Sequence, residues 1–400
     1  MQYRRGAGGR DWSVLGFGCM RFPRSGGGID IAETEREILR AAELGINYFD
    51  TAYIYGGSEE CLGGILERNG LRDRILLATK LPQYLISSPA AIEKYFQEQL
   101  RRLRTDRIDN YLMHMLTDLE AWQKLQALGI EEWIARKKQA GAIRNIGFSF
   151  HGNTGMFLRI LDAYPWDFCQ IQYNYLDDVS QAGREGLLAA AEKGIPVVIM
   201  EPLRGGKLVS LLPEDARKRI EREGGGKTAA ELAFRWLWDQ KEVTCVLSGM
   251  NSMQMLEENA RVASEALPGC ADAAERRLVE ALKQDIREKL LVGCTGCGYC
   301  MPCPQGVDIP GAFRCYNQTS MESRAEGLRE YFQTVSLRKE PAFPSRCIGC
   351  GRCEKHCPQH IPIIQELKKA EKTLRPWYMK VASGAARKWM FRKKASSSGS

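Results

Sequence analysis

Between Val14 and about Gly249, short apolar runs alternate with stretches of helical period. The runs Leu15–Gly18, Asn47–Asp50, Ile75–Lys80, Ile108–His114, Ile143–Ser149, Phe168–Tyr173, Val197–Met200 and Thr244–Ser248 read as strands. The stretches Ile31–Leu44, Ser88–Leu103, Ile130–Ala140, Asn153–Ala163, Gly183–Glu192 and Thr228–Trp238 read as helices. Eight strands alternating with helices predict an α/β fold, a (β/α)8 TIM barrel whose chemistry sits at the C-terminal ends of its strands. A doubly wound sheet is the rival. Against it, Leu15-Gly16-Phe17-Gly18 is only a faint version of the Gly-rich nucleotide fingerprint expected after a first strand.

Beyond the barrel the pattern changes. An amphipathic charged helix, Ala271–Lys289, leads into Cys294-x2-Cys297-x2-Cys300-x2-Cys303-Pro304. Two helical stretches follow, Asp308–Gln318 and Ser323–Thr334, and then Cys347-x2-Cys350-x2-Cys353-x3-Cys357-Pro358. The runs close on similar phrases, CPQGVDIP and CPQHIPI, so this module carries an internal pseudo-repeat. The expected division is a barrel over 1–270, a cysteine-rich module over 271–375 and a basic, aromatic, partly disordered tail over 376–400.

Composition narrows the class. The chain has 400 residues, 44% hydrophobic and 26% charged, enough for a large core plus a small second domain. No apolar run reaches the roughly 20 residues of a membrane helix, and MQYRRGAGG lacks the apolar core of a secretory signal. Of the fourteen cysteines, eight lie in the two runs. Clustered cysteines without a signal mean metal in a reducing compartment, so a cytoplasmic location is expected. The net charge of +8 owes much to Arg375, Lys380, Arg387, Lys388, Arg392, Lys393 and Lys394, interleaved with Trp377, Tyr378, Trp389 and Phe391. A solvated end is the plain reading of that tail. Weak contact with an anionic membrane surface is the functional one, and no nucleic-acid role is expected.

Four ionisable side chains fall where strands stop. Asp50 and Tyr55 lie in GINYFDTAYIYGGSE, Lys80 closes ILLATK and His114 closes RIDNYLMH. These stretches, with LRRLRTDRIDNYLMH, resemble the aldo-keto reductase family over about the first 265 residues. The resemblance implies a catalytic tetrad of Asp50, Tyr55, Lys80 and His114 and a hydride passed between a nicotinamide dinucleotide and a carbonyl or alcohol. The chemistry agrees. Hydride addition leaves an alkoxide that must be protonated as it forms, and a phenol of ordinary pKa about 10 needs a nearby ammonium to do this near neutrality. Tyr55 is thus the general acid/base, Lys80 its tuner, Asp50 the anchor of that lysine and His114 the group that orients the carbonyl. Tyr53 is the alternative phenol, and motif spacing favours Tyr55.

The resemblance also implies dinucleotide contacts at Ser149, Gln170, Met200, Glu258 and Asn259. Met200 falls where an aromatic commonly stacks on the nicotinamide, and Phe150 where the family often has Asn. The expected pyrophosphate loop reads Glu201-Pro202-Leu203-Arg204-Gly205-Gly206-Lys207. Its glycines allow close approach, and Arg204 or Lys207 offers a phosphate partner. Met255 stands where a basic residue would hold a 2′-phosphate, so NAD and NADP both remain open.

The cysteine runs resemble an α-helical ferredoxin. Three cysteines two residues apart cap corners of one 4Fe–4S cubane, and the cysteine before proline serves the other cluster. This assigns Cys294, Cys297, Cys300 and Cys357 to one cluster and Cys347, Cys350, Cys353 and Cys303 to the second, with zinc the alternative metal. A nicotinamide gives two electrons at once and a cluster takes one, so the clusters are expected to exchange electrons with a redox protein partner. The second functional reading is an electron-transfer protein whose barrel binds nucleotide without significant carbonyl reduction.

Overall fold

The computed structural model describes residues 1–392 other than 337–339 and 341. The basic side chains expected at Arg387, Lys388 and Arg392, and Lys393, Lys394 and the Ser/Gly end, lie outside the described portion. Eight parallel strands close into a barrel: β1 (Leu15–Gly18), β2 (Tyr48–Asp50), β3 (Leu76–Leu81), β4 (Ile108–Leu116), β5 (Ile143–Phe150), β6 (Phe168–Gln172), β7 (Val197–Met200) and β8 (Val243–Ser248). Each strand pairs with its neighbours in sequence, and β8 closes on β1 through Val246 opposite Leu15. All eight expected strands are present, and the rival doubly wound sheet is excluded.

The barrel has a plugged end and a chemical end. An N-terminal hairpin, Tyr3–Arg5 against Asp11–Ser13, delivers Trp12 into the interior layer with Tyr48, Leu76, Ala78, Leu112 and Phe168. The Trp12 ring lies 4.9 Å from Tyr48 and 5.6 Å edge-on from Phe168. Gly6 is required in this hairpin, because a Cβ there would sit 2.3 Å from the indole. At the start of β4, buried Asp109 accepts from the Leu77 amide and pairs with Arg72 at 2.8 Å and Arg144 at 2.9 Å. The strands' C-terminal ends face the other way and carry the tetrad.

The chain forms two compact units. The first is Met1–Pro202 with Glu231–Arg276, and the second is Leu203–Ala230 with Arg277–Ser400. The segment after β7 therefore groups with the cysteine-rich module, an arrangement the linear reading did not anticipate. The helix Ala273–Lys289 passes from one unit to the other. In the second unit the pseudo-repeat is structural: Val307 and Ile309 from one phrase and Ile361 and Ile363 from the other share one apolar cluster with Phe313 and Leu367. Each phrase leads into a helix, Ile309–Met321 capped by Asp308, or Ile363–Leu374. Trp377–Arg392 is helical where an irregular tail was expected, because no proline or glycine run interrupts it before the Ser/Gly end.

One buried group outside the chemistry sets a pH response. Glu37, on the helix Ile31–Glu43, is fully buried, and among the described residues neither carboxylate oxygen has a hydrogen-bond partner. Burial pushes its carboxyl up to about 7, against the pull of Arg36. The fold therefore accommodates the protonated form. Its stability contribution is full below the ordinary carboxylate range and is lost as pH rises through about 7. Glu37→Gln should leave urea stability nearly unchanged at pH 5 and raise it by about 1–3 kcal/mol at pH 8.5. Parallel wild-type and variant pH profiles would show that the carboxyl titrates normally.

Candidate active site and cluster ligands

The barrel's stagger assembles the tetrad. Asp50 lies opposite Ala78, and Lys80 lies opposite Leu112. Side chains alternate across a strand, so Ala78 and Lys80 share the interior face, as do Leu112 and His114. The three functional side chains thus climb two residues per strand from β2 to β4. Lys80 Nζ donates to Asp50 Oδ1 at 2.6 Å and to the Thr51 carbonyl at 2.8 Å, with both charged side chains buried. The same ammonium is 5.3 Å from the Tyr55 ring centroid. His114 meets Tyr55 edge-to-face, with centroids 6.2 Å apart.

The loop holding Tyr55 is fastened at several points. Thr51 N–H bonds to the Ala78 carbonyl, the Tyr55 N–H to Ala52 and the Ser58 N–H to Tyr55. Ser58 Oγ reaches both the Cys19 carbonyl and Thr51 Oγ1 at 2.8 Å. Gly57, at φ 77°, makes the turn into the helix Ser58–Arg68. Tyr53 is engaged elsewhere: the Arg102 guanidinium lies 4.2 Å over its ring, and Tyr95 packs edge-on at 4.8 Å. Of the two phenols, Tyr55 is the one beside Lys80 and His114.

Electrostatics assign protonation states. Burial, then the Lys80 ammonium and His151, holds His114 well below the ordinary imidazole range, so it is a neutral imidazole near pH 7. Burial pushes the Asp50 carboxyl up, opposed by the Lys80 ammonium. After His114 the strand bulges: Met115 has φ 58°, and the β4–β5 register shifts between Met113 and Leu116. The Met115 amide donates to Ser149 Oγ at 2.8 Å, joining the bulge to the next strand.

Sequence reading missed the support behind Lys80. Buried Glu59 accepts from Thr79 Oγ1 at 2.7 Å and Gln99 Nε2 at 2.9 Å. Gln99 also donates to the Lys80 carbonyl and accepts from Tyr111. Gln99 and Glu59 come from different helices, so no local motif signals their meeting.

Several expected dinucleotide residues are neighbours. Ser149 pairs in register with Gln170, whose Nε2 lies 3.5 Å from Met200 Sδ. Buried Asn259 donates to Ser248 Oγ at the end of β8, while Glu258 accepts from Gln254. Met255 is half exposed on the same helix. Arg21 lies along Gly249, in the loop after β8, and carries a cation the sequence reading did not single out. Arg204 and Lys207 are committed differently from the expected phosphate cradle. Within the second unit, Arg204 Nη2 donates to the Gly293 carbonyl at 2.9 Å and Lys207 Nζ to the Cys294 carbonyl at 2.6 Å. Gly205 and Gly206 are both left-handed, which lets the turn present the two cations together.

The cysteines fit a cubane. Cys294, Cys297, Cys300 and Cys357 line one cavity of about 320 Å³, walled by Ile309, Phe313 and Ile361. Three come from the first run and one from the second. Burial raises the Cys300 thiol to about 12, with Cys294, Cys297 and Cys357 adding to the shift. Among the described residues no three such ligands converge tightly enough for a single metal ion. Cys303, Cys347 and Cys353 pack against the same apolar cluster, and Cys350 is exposed. Cys315 is fully buried in a separate cluster with Tyr331 and Leu374, apart from both sets.

With this geometry in view, the comparisons with known proteins are direct. The model described as "Aldo/keto reductase family" matches residues 14–269, and the model of a "4Fe-4S dicluster domain" matches 293–361. The chain belongs to the aldo/keto reductase family. It carries a C-terminal 4Fe–4S dicluster domain as well. Aldo-keto reductase str7 of Strobilurus tenacellus is 28% identical over 67% of this chain and 89% of its own. L-galactose dehydrogenase of Arabidopsis thaliana is 28% identical, covering 69% and 92%. Among solved structures, the holo form of aldo-keto reductase AKR11C1 from Bacillus halodurans aligns at TM-score 0.58 and 29% identity, over 70% of this chain and 96% of that one. The shared coverage fits the barrel, and the dicluster domain is what this family member adds.

The Lys207 contact makes its own prediction. Lys207→Met should loosen the backbone at Cys294, so iron release to a chelator should quicken severalfold while barrel stability is unchanged. Equal release from wild type and variant would mean that the contact is incidental.

Proposed function

We propose that this oxidoreductase transfers hydride between a nicotinamide dinucleotide and a small carbonyl or alcohol, with Tyr55 as general acid/base. The observation that carries the reading is the convergence of an anchored, buried ammonium and a neutral imidazole on one phenol: Lys80 5.3 Å from the Tyr55 ring and His114 edge-on to it. Lys80 favours the phenolate and so brings the proton within reach of neutral pH. Asp50 holds Lys80 in place through a 2.6 Å ion pair. His114, uncharged, offers a hydrogen bond to the carbonyl oxygen without competing for the proton.

The dinucleotide would lie against Ser149, Gln170 and Met200, with Glu258 and Asn259 toward its adenine end. Arg21, alongside Gly249 in the same unit, is a candidate pyrophosphate contact. A similar protein from Schizosaccharomyces pombe carries NADP(+) in its name, "Aldo-keto reductase yakc [NADP(+)]", at 28% identity. Exposed Met255 supplies no cation for a 2′-phosphate, so NAD and NADP are both admitted.

The dicluster domain holds two 4Fe–4S clusters in this reading, on Cys294, Cys297, Cys300 and Cys357 and on Cys303, Cys347, Cys350 and Cys353. Clusters supply one-electron transfer, which a hydride does not, so they exchange electrons with a partner protein. Clustered cysteines that hold iron suit a reducing, cytoplasmic setting. No helix among the described residues is long and apolar enough to cross a membrane, and the exposed Trp377 and Val381 leave weak peripheral contact as the proposed role of the tail.

Tyr55→Phe should lower kcat for carbonyl reduction by about 10²–10⁴-fold while dinucleotide affinity, read by fluorescence quenching, holds. Asp50→Asn should lower kcat less and move the pH profile of reduction upward, because Lys80 loses its anchor. The second reading, an electron carrier with a nucleotide-binding barrel, draws on Met200 at the nicotinamide position. An unchanged Tyr55→Phe rate with every carbonyl tested would favour it.

A further inference from the structure

The second cysteine run differs from the first in its surface. Of fourteen cysteines, Cys350 alone is exposed, and the neighbouring Ile348 is 65% exposed. Beside them lies an open cleft lined by Cys347, Ile348, Ile364, Leu367, Lys368 and Glu371. The exposed charge nearby is mostly basic. Lys368 lines the cleft and is exposed, as are Arg346, Arg352 and Lys355 in and beside the cysteine run. The acids of the same face are engaged: Glu354 caps the Ile364 amide, Glu366 pairs with Lys369 and Glu371 with Arg375. From Leu290 to Val307 the first run has no charged residue at all.

We propose that this face is the docking surface for a small acidic one-electron carrier protein, and that electrons pass through the cluster held by Cys347, Cys350, Cys353 and Cys303. The inference rests on the reading that the clusters exchange electrons with a partner, and names the surface and the partner's chemistry. Three features support it. Electron transfer between proteins falls steeply with distance, so the cluster with an exposed ligand is the one a carrier can approach. Redox encounters are small interfaces, and a single exposed isoleucine over a shallow cleft suits that size. Exposed cations beside an apolar spot steer an acidic partner into place and repel a basic one. In each encounter one electron leaves the carrier and enters the cluster. The carrier is oxidised by one electron and the cluster reduced by one, with no bond made or broken.

The test uses the anaerobically purified full chain and two reductants in a stopped-flow instrument. One is an acidic flavodoxin in its hydroquinone state; the other is the small methyl viologen radical cation. Iron per chain and the reduced-cluster EPR signal confirm loading. The wild-type rate with flavodoxin should fall severalfold between 50 and 300 mM salt. Lys355→Glu with Lys368→Glu should slow it by about tenfold or more and leave reduction by viologen unchanged. If the double variant loses iron, Lys368→Glu alone decides, since Lys368 lies outside the cysteine run. Flavodoxin rates indifferent to salt and to these changes, with viologen still reducing the clusters, would overturn the docking surface. Failure of viologen to reduce any loaded cluster would overturn the electron-exchange reading beneath it.

Discussion

The buried ion pair between Lys80 and Asp50 constrains the rest of the barrel's upper end. Taking two charges out of water costs several kcal/mol per ion, and only close pairing and further hydrogen bonds offset that. Here the offset is a 2.6 Å contact and the Thr51 carbonyl. The pair forms only if β2 and β3 keep the register that puts Asp50 opposite Ala78, since a one-residue slip would turn Lys80 out of the interior. Glu59, Thr79 and Gln99 hold the backbone that carries the lysine, and Ser58 with Thr51 holds the loop that carries the phenol. Strand stagger then places His114 on the next interior position up. The site is a consequence of barrel geometry as much as of its four side chains.

The same reasoning explains what could be read from the chain. Strands buried on both faces leave dense apolar runs, so all eight were visible, and residues ending those runs fall at one mouth by the nature of the fold. Tyr55 and Tyr53 could be told apart only by motif spacing, until Arg102 and Tyr95 were seen to occupy Tyr53. The cysteine spacing suggested a crossed ligand set, because a cubane demands three closely spaced thiolates and a fourth from elsewhere. Pairs far apart in sequence stayed hidden. Gln99 on Glu59, Trp12 in the barrel interior and Lys207 on the Cys294 carbonyl join elements whose meeting no local periodicity encodes. Lys207 is the clearest case: a Gly-Gly turn with flanking cations suits a phosphate and a carbonyl equally well, and only the fold chooses.

The two redox chemistries of the chain differ in kind. A phenol tuned by a lysine serves a two-electron step in which charge appears on oxygen and must be met by a proton. Thiolates around an apolar cavity serve one-electron steps in which charge spreads over a cluster and no proton is required. The first needs an anchored cation inside a dry site. The second needs control of dielectric and nearby charge. The second unit supplies that control unevenly, and the pseudo-repeat shows how.

Both repeats send a Cys-Pro phrase into the shared apolar cluster, so at the level of backbone and core the halves match. What differs is added around them. The first run is uncharged, its cavity is walled by Ile309, Phe313 and Ile361, and the Lys207 ammonium is hydrogen-bonded to its first cysteine. The second run is open, with Cys350 exposed among Arg352, Lys355 and Arg346. Solvent exposure, net charge and hydrogen bonding set cluster potentials, so two sites of the same ligand set, placed in these surroundings, cannot be equivalent. If both sites hold clusters, as proposed, a duplicated framework with unequal surroundings would give electron flow a direction that two identical sites would lack.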